Sequence, residues 1–488
     1  MEGLFYGGKT VARYCLHGLK WNLLFLWLVG LALFAGVAID FIPEMIWHDQ
    51  QRIEQLVLLV AVSLAVATVR RKKLLVSLAC LSGLSRIALG SAFVLGGVSA
   101  IVSALPRFAG LEWVTILLLF TLTLVLAVEG FHQRARYDVW AMRLVVTLAV
   151  VVAMKVMMGY VASIVGGLRL DSLAMFEGTF SNRRVFGQVA SLVIPLLAYP
   201  FLIGGMSKFT RFSLFILLVL WWMLVIVSGT RGAWMALGFS AVVMAGVSWR
   251  ASARWLKIQV LTFSMGALLF GLLFIWLPSW IGVDALIENR LGDFAALSGR
   301  EVLWELAWAQ IQAHPWLGIG PMQLAALRND YGAHPHNAVL QLAAEWGIPA
   351  ALALLLPLGY GLLRMLVRLR HQAERAGGLL VCLSGSLLAA GAQSMVDGVI
   401  VIPYTQTLLV FVAGWALGVY FRDVALRPEI TDSRVWQLGV PALSMFAVIA
   451  LLNGIFPEIL NRAEVTQAYV DAGHSLIPPR YWGVGWIP

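Results

Sequence analysis

Charge is scarce in this 488-residue chain. Asp, Glu, Lys and Arg make up 12% of it, about half of the share that a soluble domain carries, whereas hydrophobic residues make up 60%. The net charge of +10 does not indicate nucleic-acid binding, because the Lys and Arg residues stand in short clusters between apolar runs, where they orient membrane proteins. This composition excludes an ordinary soluble domain and predicts a membrane protein.

Cysteine and the usual metal-binding motifs are also scarce. The three cysteines, Cys15, Cys80 and Cys382, lie in or beside apolar or basic segments, which argues against a disulfide framework. The sequence has no Asp-x-Asp and no His-Glu-x-x-His, and none of its Cys/His pairs has ligand spacing. We therefore predict no metal ion and no other cofactor.

Long apolar runs recur from residue 22 to residue 455, and each can cross the hydrocarbon core of a bilayer, about 30 Å thick. They predict membrane-spanning helices near 22–41, 53–69, 75–105, 113–130, 144–166, 185–205, 212–228, 232–249, 257–279, 349–367, 377–396, 404–421 and 437–455. The third run is longer than one span needs and the last run is weakly apolar, so the sequence is consistent with either twelve or thirteen spans. We expect an all-α polytopic membrane protein.

Basic residues concentrate in alternate loops. Most of the 35 Lys and Arg residues fall in the N-terminus and in every second loop, which predicts that these segments are cytoplasmic. The longest loop on the other side is 280–348. We predict four regions, which are N-terminal transmembrane helices over 1–279, this large periplasmic loop with short helices, C-terminal transmembrane helices over 349–455 and a tail over 456–488.

The end of this loop, called the outer loop, and the first residues of the next span read HPHNAVLQLAAEWGIPA, residues 334–350. Asn337 is a favourable helix N-cap and Gly347 suits the residue after a helix end, so we predict a short helix between them. The beginning of that helix, with His334 and His336 beside it, favours an anion. An alternative is that Asn337 serves only as a cap and His336 only as a polar residue at a wet interface.

Four arginines are predicted on the same face of the membrane. Arg183 and Arg184 directly precede the 185–205 span. Arg231 lies at the tip of a tight turn, and Arg300 lies at the start of a predicted loop helix. Arginine is a planar, permanently charged donor that suits phosphate oxygens. A lone arginine is explained by snorkelling toward lipid headgroups, but four of them with a histidine predict a site for an anionic, phosphate-bearing substrate.

Charged residues also stand in or at the end of the apolar runs. Lys155 and Arg86 lie within predicted spans, and Asp397, at the outer end of 377–396, is a candidate partner for an arginine. Such residues either fix helix packing or face a cavity. Together with about twelve spans, they leave open a transporter of an anionic lipid.

A family resemblance is carried by the same outer segment. His336-Asn337, nine further residues, Gly347 and two residues before Ala350 resemble the His-Asn-x9-Gly-x-x-(Gly/Thr/Val) signature of the O-antigen ligase (WaaL) family and the O-antigen polymerases. The last position differs, because Ala350 stands where the signature has Gly, Thr or Val. Three more segments are similar to family segments: SGTRGAW at 228–234, SGREVLW at 298–304 and HPWLGIGP at 314–321.

The resemblance implies a bacterial inner-membrane glycosyltransferase of the GT-C fold. Such an enzyme moves a glycan from undecaprenyl diphosphate to the lipid A–core oligosaccharide at the periplasmic face, in a metal-independent and inverting reaction. We expect His336 to act as the general base, because a usual pKa of about 6.5 allows it to accept a hydroxyl proton near neutral pH. Its alternative role is to donate a hydrogen bond to the diphosphate.

The resemblance and the charge pattern together assign the remaining candidates. The diphosphate is expected to bind Arg183, Arg184, Arg231 and Arg300, and the expected supporting residues are His334, Asn337, Gly347 and Asp397. Within the superfamily, the acceptor distinguishes a ligase from an O-antigen polymerase and from a protein O-oligosaccharyltransferase. The His-Asn signature and the single long outer loop favour the ligase. A transporter would instead gather its unusual residues near the membrane midplane, whereas here they gather at one face.

Overall fold

The computed structural model describes residues 23–43, 45–172, 174–286, 299–371, 377–422, 434–461 and 480–487, together with residues 464, 467 and 471. Within this part, the chain is an all-α polytopic membrane protein, as the sequence predicts. Nine of the described helical segments are long and apolar enough to cross a membrane. Three shorter apolar helices accompany them: Leu24–Ala38, Arg231–Val247 and Gly377–Gln393.

The first part of the described chain is built of α1 (Leu24–Ala38), α2 (Trp47–Ala65), α3 (Arg71–Cys80), α4 (Gly83–Val102), α5 (Pro106–Val165), β1 (Leu170–Asp171), α6 (Ala174–Glu177), α7 (Arg183–Leu197) and α8 (Tyr199–Leu202). It continues with α9 (Lys208–Ser228), α10 (Arg231–Val247), α11 (Trp249–Phe270), α12 (Leu277–Ile281) and β2 (Ala285–Leu286). Then follow α13 (Arg300–Ala313), α14 (Ala338–Trp346), α15 (Ile348–His371), α16 (Gly377–Gln393), α17 (Pro403–Phe421) and α18 (Arg434–Leu460). Short π-helical segments (Val66–Arg70, Gly271–Trp276) and a 3₁₀ turn (Gln323–Ala326) complete the helical elements described.

All thirteen predicted spans fall on described helices. The longest helix, α5, covers two of them, the spans predicted over 113–130 and 144–166. Its backbone leaves the helical region at Arg134 (φ 43°), so that two helices meet at a kink there. The kink lies in the basic segment between the two apolar runs, as expected for a loop between two crossings.

The overlong run predicted as one span over 75–105 is two helices. α3 ends at Cys80 and α4 begins at Gly83. Ser82 separates them, because its hydroxyl accepts a hydrogen bond from the Ser85 N–H (3.1 Å) and so caps α4. Hydropathy alone does not distinguish a serine that starts a helix from one that lies within a span.

The bundle has two ends, and the end that carries residues 334–337 is called the site face. α18 finishes at the site face, where Glu458 forms an ion pair with Arg107, which lies just before the first apolar run of α5. Residues 480–487, the tail segment, then pack against this same face. The weak last run is therefore a helix that runs through the bundle like the other predicted spans, and in the described part of the chain the tail segment lies on the same face as residues 334–337.

The helices pack through small residues and a few buried polar contacts. α17 lies against the first arm of α5, and a Cβ at Gly418 would lie 2.7 Å from the Ala127 carbonyl oxygen, so only glycine permits this approach. At the end opposite the site face, Arg422 pairs with both carboxylate oxygens of Asp138 (2.8 Å each). These contacts fix the scaffold on which the site is built.

One short β-ladder adds to the helices. β1 and β2 run parallel, with Leu170 opposite Ala285 and Asp171 opposite Leu286. The ladder joins the segment after α5 to the segment after α12, outside the predicted spans. Two residue pairs do not alter the all-α class.

Candidate functional site

The candidate arginines and the histidine motif stand at the beginnings of helices. α7 begins at Arg183, α10 at Arg231 and α13 at Arg300, and α14 follows the segment that contains His336. A helix beginning carries unpaired N–H groups and the positive end of the helix dipole. Three such beginnings, each with an arginine at the first position, favour an anion at this face.

Local sequence determines where two of these helices start. Asn182 caps α7, because its Oδ1 accepts a hydrogen bond from the Arg184 N–H (2.9 Å). Gly229 is left-handed (φ 59°) and ends α9, so that α10 starts only two residues later. The structure thus confirms the tight turn that SGTRGA predicts, with Arg231 at its tip.

Asn337 holds the beginning of α14 in place. Its Oδ1 accepts hydrogen bonds from the N–H groups of Val339 and Leu340 (3.0 Å each). Its Nδ2 donates to the Met395 carbonyl (3.2 Å), just beyond the end of α16. Both ends of the amide are therefore engaged, and Asn337 is the N-cap that the sequence predicts.

His334 supports the backbone of its neighbour. His336 adopts a left-handed conformation (φ 52°), which is uncommon for a residue with a Cβ, and its N–H donates a hydrogen bond to Nδ1 of His334 (3.2 Å). The two ring centroids lie 4.1 Å apart. Burial, His336 and Arg480 lower the pKa of His334 well below its usual value, which agrees with an unprotonated Nδ1 that accepts. His334 thus helps to fix the conformation of His336.

His336 faces Asp397 across a short gap. Its Nδ1 lies 3.8 Å from Oδ1 of Asp397, which is longer than a hydrogen bond but close enough for electrostatic attraction. Burial lowers the pKa of His336 below its usual value, Asp397 opposes this, and Arg184 and Arg300 lower it further. The imidazole is therefore neutral at pH 7 and can accept a proton.

Asp397 is an ionised carboxylate whose Oδ1 is held by two donors. The side chain of Gln188 and the N–H of Gly398 donate hydrogen bonds to its Oδ1 (2.9 and 2.8 Å). Burial acts to raise the pKa of Asp397, but His336, the Gly398 N–H and Arg184 together bring it below its usual value. The partner predicted for Asp397 was an arginine, whereas its ion pair within the described residues is with His336.

Three of the arginines lie close enough to affect each other. Burial lowers the pKa of Arg300, Asp397 raises it, and Arg184 and Arg231 lower it. Arg183 is the neighbour of Arg184 in the first turn of α7 and is buried. Like charges held together in a partly buried place repel each other, and a bound anion relieves that repulsion. The structure thus brings Arg184, Arg231 and Arg300 to the His336–Asp397 pair.

Two glycines show how closely the segments of the site approach each other. A Cβ at Gly187 would lie 2.5 Å from Oγ1 of Thr230, so α7 contacts the turn before α10. A Cβ at Gly232 would lie 4.0 Å from Oδ2 of Asp397. The beginnings of α7 and α10 and the segment after α16 therefore meet directly.

The outer loop wraps around both ends of α14. Gly347 ends the helix with a positive φ (83°), and a Cβ there would overlap the Trp316 carbonyl oxygen. Near the other end, Trp304 of α13 donates a hydrogen bond to the Pro335 carbonyl (2.8 Å). Gly347 therefore contributes backbone shape, and SGREVLW contributes a tryptophan that positions the histidine segment.

Three polar residues of this region were not identified from the sequence. Gln188 follows Arg184 by four residues, so helical spacing could have placed it on the same face of α7. Glu345 is the one acid in AVLQLAAEW, and a buried acid within an apolar helix is itself a signal. Arg480 lies in the tail segment, where nothing in the sequence indicates its partners.

The absence of a cofactor remains a prediction. Among the described residues, no group of three His, Cys, Asp or Glu side chains could hold a metal ion. The prediction of no cofactor overlooked one pattern in the sequence. Residues 3–10, GLFYGGKT, fit the Gly-x4-Gly-Lys-Thr pattern of a phosphate-binding loop. Such a loop acts between a β-strand and a helix, and these residues lie outside the described part of the chain.

Comparison with known proteins gives a family match over the site. The family model described as Wzy_C, O-antigen ligase, matches residues 215–355, a range that contains Arg231, Arg300 and His336 and ends before Asp397. No curated protein matches the chain. The match covers less than half of the chain and supports the resemblance to the O-antigen ligase/polymerase superfamily.

Proposed function

We propose that this chain is an O-antigen ligase of the bacterial inner membrane. It transfers a glycan from undecaprenyl diphosphate to the lipid A–core oligosaccharide at the periplasmic face, without a metal ion and with inversion at the anomeric carbon. The observation that supports this most is the cluster of Arg184, Arg231 and Arg300 beside a neutral His336 and its Asp397. It combines a diphosphate-binding group with a base at one face of the membrane.

The arginines and helix beginnings do the work that a divalent cation does in other enzymes. The C1–O bond to the diphosphate breaks and the leaving group keeps the electron pair, so negative charge grows on the phosphate oxygens. Guanidinium groups and N–H groups already in place stabilise that charge without reorganisation. Arg183 belongs to this set by its position in the first turn of α7.

His336 accepts the proton of the attacking hydroxyl. Its Nδ1 faces the Asp397 carboxylate, so the neutral imidazole carries its proton on Nδ1. Nε2 is therefore the nitrogen that accepts the hydroxyl proton. As the acceptor oxygen bonds to C1 from the side opposite the diphosphate, its proton moves to Nε2, and Asp397 stabilises the imidazolium formed. A positioned base of this kind contributes on the order of 10²–10⁴-fold to the rate.

Transport of an anionic lipid is the less well supported function. Lys155, one of the charges that left it open, donates a hydrogen bond to the Val37 carbonyl (2.8 Å) and lies 4.5 Å from the centroid of the Trp47 ring. Those are packing contacts between helices. The unusual charges gather at the site face, where a reaction needs them, instead of at the midplane.

A reconstituted transfer assay tests the proposal. Purified protein is mixed with glycan-linked undecaprenyl diphosphate and lipid A–core in the presence of EDTA, and the lipopolysaccharide is separated by size. A heavier lipopolysaccharide band is expected. Lengthening of the donor glycan without transfer to lipid A–core would identify a polymerase, and transfer to a Ser or Thr peptide alone would identify a protein O-oligosaccharyltransferase. The same assay is run with a Ser or Thr peptide in place of lipid A–core. If the protein transfers glycan to none of these acceptors, the proposal is contradicted.

A further inference from the structure

The tail segment, residues 480–487, is fixed to the site face by its backbone. The Tyr481 carbonyl accepts a hydrogen bond from Nε of Arg52 (2.9 Å), whose guanidinium lies 4.5 Å from the centroid of the Tyr481 ring. The Gly483 N–H donates to Oδ1 of Asp49 (2.6 Å). Both partners belong to α2, so the tail segment is anchored on a membrane helix independently of α14.

The side chain of Arg480 extends from this anchored segment to two carboxylates. It is 2% exposed, and its Nη2 lies 2.6 Å from Oε2 of Glu345 and 2.8 and 2.9 Å from the oxygens of Glu112. Glu112 belongs to α5, and Glu345 belongs to α14. One guanidinium therefore joins the tail segment, a membrane helix and the helix that begins beside His336.

Glu345 depends on this guanidinium. Burial raises the pKa of Glu345, and the contact with Arg480 opposes that rise. Without the guanidinium, the carboxyl group would take up a proton or turn toward water, because a buried unpaired carboxylate is strongly unfavourable. Either change would release the last turn of α14 from the tail segment.

α14 is short and held at both ends, so a shift at one end reaches the other. Its nine residues span roughly 13 Å at about 1.5 Å per residue. Asn337 fixes the beginning, and Glu345 lies in the last turn, where its Oε1 also accepts a hydrogen bond from the Leu324 N–H (3.3 Å). The tail segment contacts that same 3₁₀ turn, because the Ile487 N–H donates to the Ala325 carbonyl (3.3 Å).

The Arg480 cluster is a contact between elements and has no space for a substrate. The cavity beside it measures about 10 Å³, and one water molecule needs that much space. It is lined by residues of α2, α5, α17, the segment just before α17 and the tail segment, and His336 is not among them. Arg480 therefore does not contact a substrate, and its hydrogen bond to Glu345 ties it to the helix that begins beside His336.

We propose that Arg480 is a positioning residue for the reaction, which acts through Glu345 to hold α14 and thereby His336 in place. This inference rests on the proposed function. The diphosphate contacts come from α7, α10 and α13, so a displaced α14 misplaces the base and leaves donor binding intact. A displacement of about 1 Å can cost roughly 100-fold in rate.

A matched pair of variants tests this in the full-length protein. Glu345→Gln removes the charge on α14 and leaves Arg480 paired with Glu112. Glu112→Gln removes an equal charge and leaves Arg480 paired with Glu345, so α14 stays attached to the anchored tail. We expect Glu345→Gln to lower kcat about 10- to 100-fold with the donor KM within about twofold. We expect Glu112→Gln to keep kcat within about threefold.

Hydrogen exchange of the amides of residues 338–346 is measured in the same proteins and does not depend on the assay. Faster exchange in Glu345→Gln than in Glu112→Gln supports the inference, and Arg480→Lys, which keeps the charge, should restore slow exchange relative to Arg480→Gln. If wild-type protein transfers no glycan, the proposed function fails, and the exchange rates still decide whether α14 is held. Equal losses of kcat and of thermal stability in the matched variants, or unchanged exchange in Glu345→Gln, would overturn the inference.

Discussion

At the scale of single residues, the two histidines of HPHN differ in what their ring atoms contact. Nδ1 of His334 accepts a hydrogen bond from the backbone, whereas Nδ1 of His336 faces a carboxylate at 3.8 Å. Chemical type alone does not separate them, since both are buried histidines two residues apart. Their different environments are the reason that the proposed function gives support to His334 and proton transfer to His336.

The pH dependence of turnover should report the protonation of His336. Its pKa is below the usual value, so kcat should fall only when the pH drops through that lowered pKa. Asp397→Asn removes a contact that raises this pKa, so the fall should move to lower pH while the maximal kcat decreases. The control is Asp330→Asn, at an exposed acid of the outer loop, which should leave the pH profile unchanged. The kcat of both variants is measured against pH. A fall that moves to higher pH in Asp397→Asn would refute the pairing.

The arginine site should discriminate between arginine and lysine. Arg300→Lys keeps a positive charge but loses the planar fork that binds two phosphate oxygens, so we expect kcat/KM for the donor to decrease about 10-fold or more. Arg328→Lys, at an exposed arginine of the same loop, should change kcat/KM by less than about twofold. Steady-state kinetics with varied donor concentration measure both values. Equal kinetics for the two variants would remove Arg300 from the diphosphate site.

At the scale of secondary structure elements, the apolar runs and capping residues predicted most of the helices. Asn337 and Gly347 delimit α14 as the sequence indicates, and the turn before Arg231 has the expected length. The convergence of α7, α10, α13 and α14 could not be predicted, because it depends on contacts between residues more than 100 positions apart. The hydrogen bond from Gln188 to Asp397 is one such contact.

The cap of α14 can be tested by stability, apart from the reaction at His336. Asn337→Ala removes the acceptor for two N–H groups and should lower the free energy of unfolding by about 1 kcal/mol. Asn337→Asp keeps the acceptor oxygen and should retain most of that stability. Thermal unfolding of both variants in the same detergent measures the difference. Equal destabilisation by Ala and Asp would show that the lost contact is with Met395 and not the cap.

At the scale of the whole molecule, the described part of the chain places the tail segment on the same face as residues 334–337. The sequence left the side of the C-terminus open because the last apolar run is weak. The ion pair between Arg107 and Glu458 and the burial of Arg480 resolve this, since both join the C-terminal part to residues of the site face. The charges of the loops could not predict the side of the C-terminus, because it follows from contacts between residues far apart in the sequence.

Labelling of single cysteines should reproduce this topology. In a background without Cys15, Cys80 and Cys382, Gln467→Cys in the tail and Trp316→Cys in the outer loop should react with an impermeant maleimide in intact spheroplasts. His371→Cys, at the opposite end of α15, should react only after lysis. All three positions are exposed. Reaction of Gln467→Cys only after lysis would mean that the chain crosses the membrane an even number of times.

The measurement that tests the central claim most directly is turnover of His336→Gln in the reconstituted transfer assay with EDTA. Glutamine keeps a polar side chain of similar reach but cannot take up the hydroxyl proton, so kcat should decrease on the order of 10²–10⁴-fold. His371→Gln, an exposed histidine at the far face, should transfer glycan at the wild-type rate. Near-normal turnover of folded His336→Gln would contradict the account, because it would leave the arginine cluster without its base.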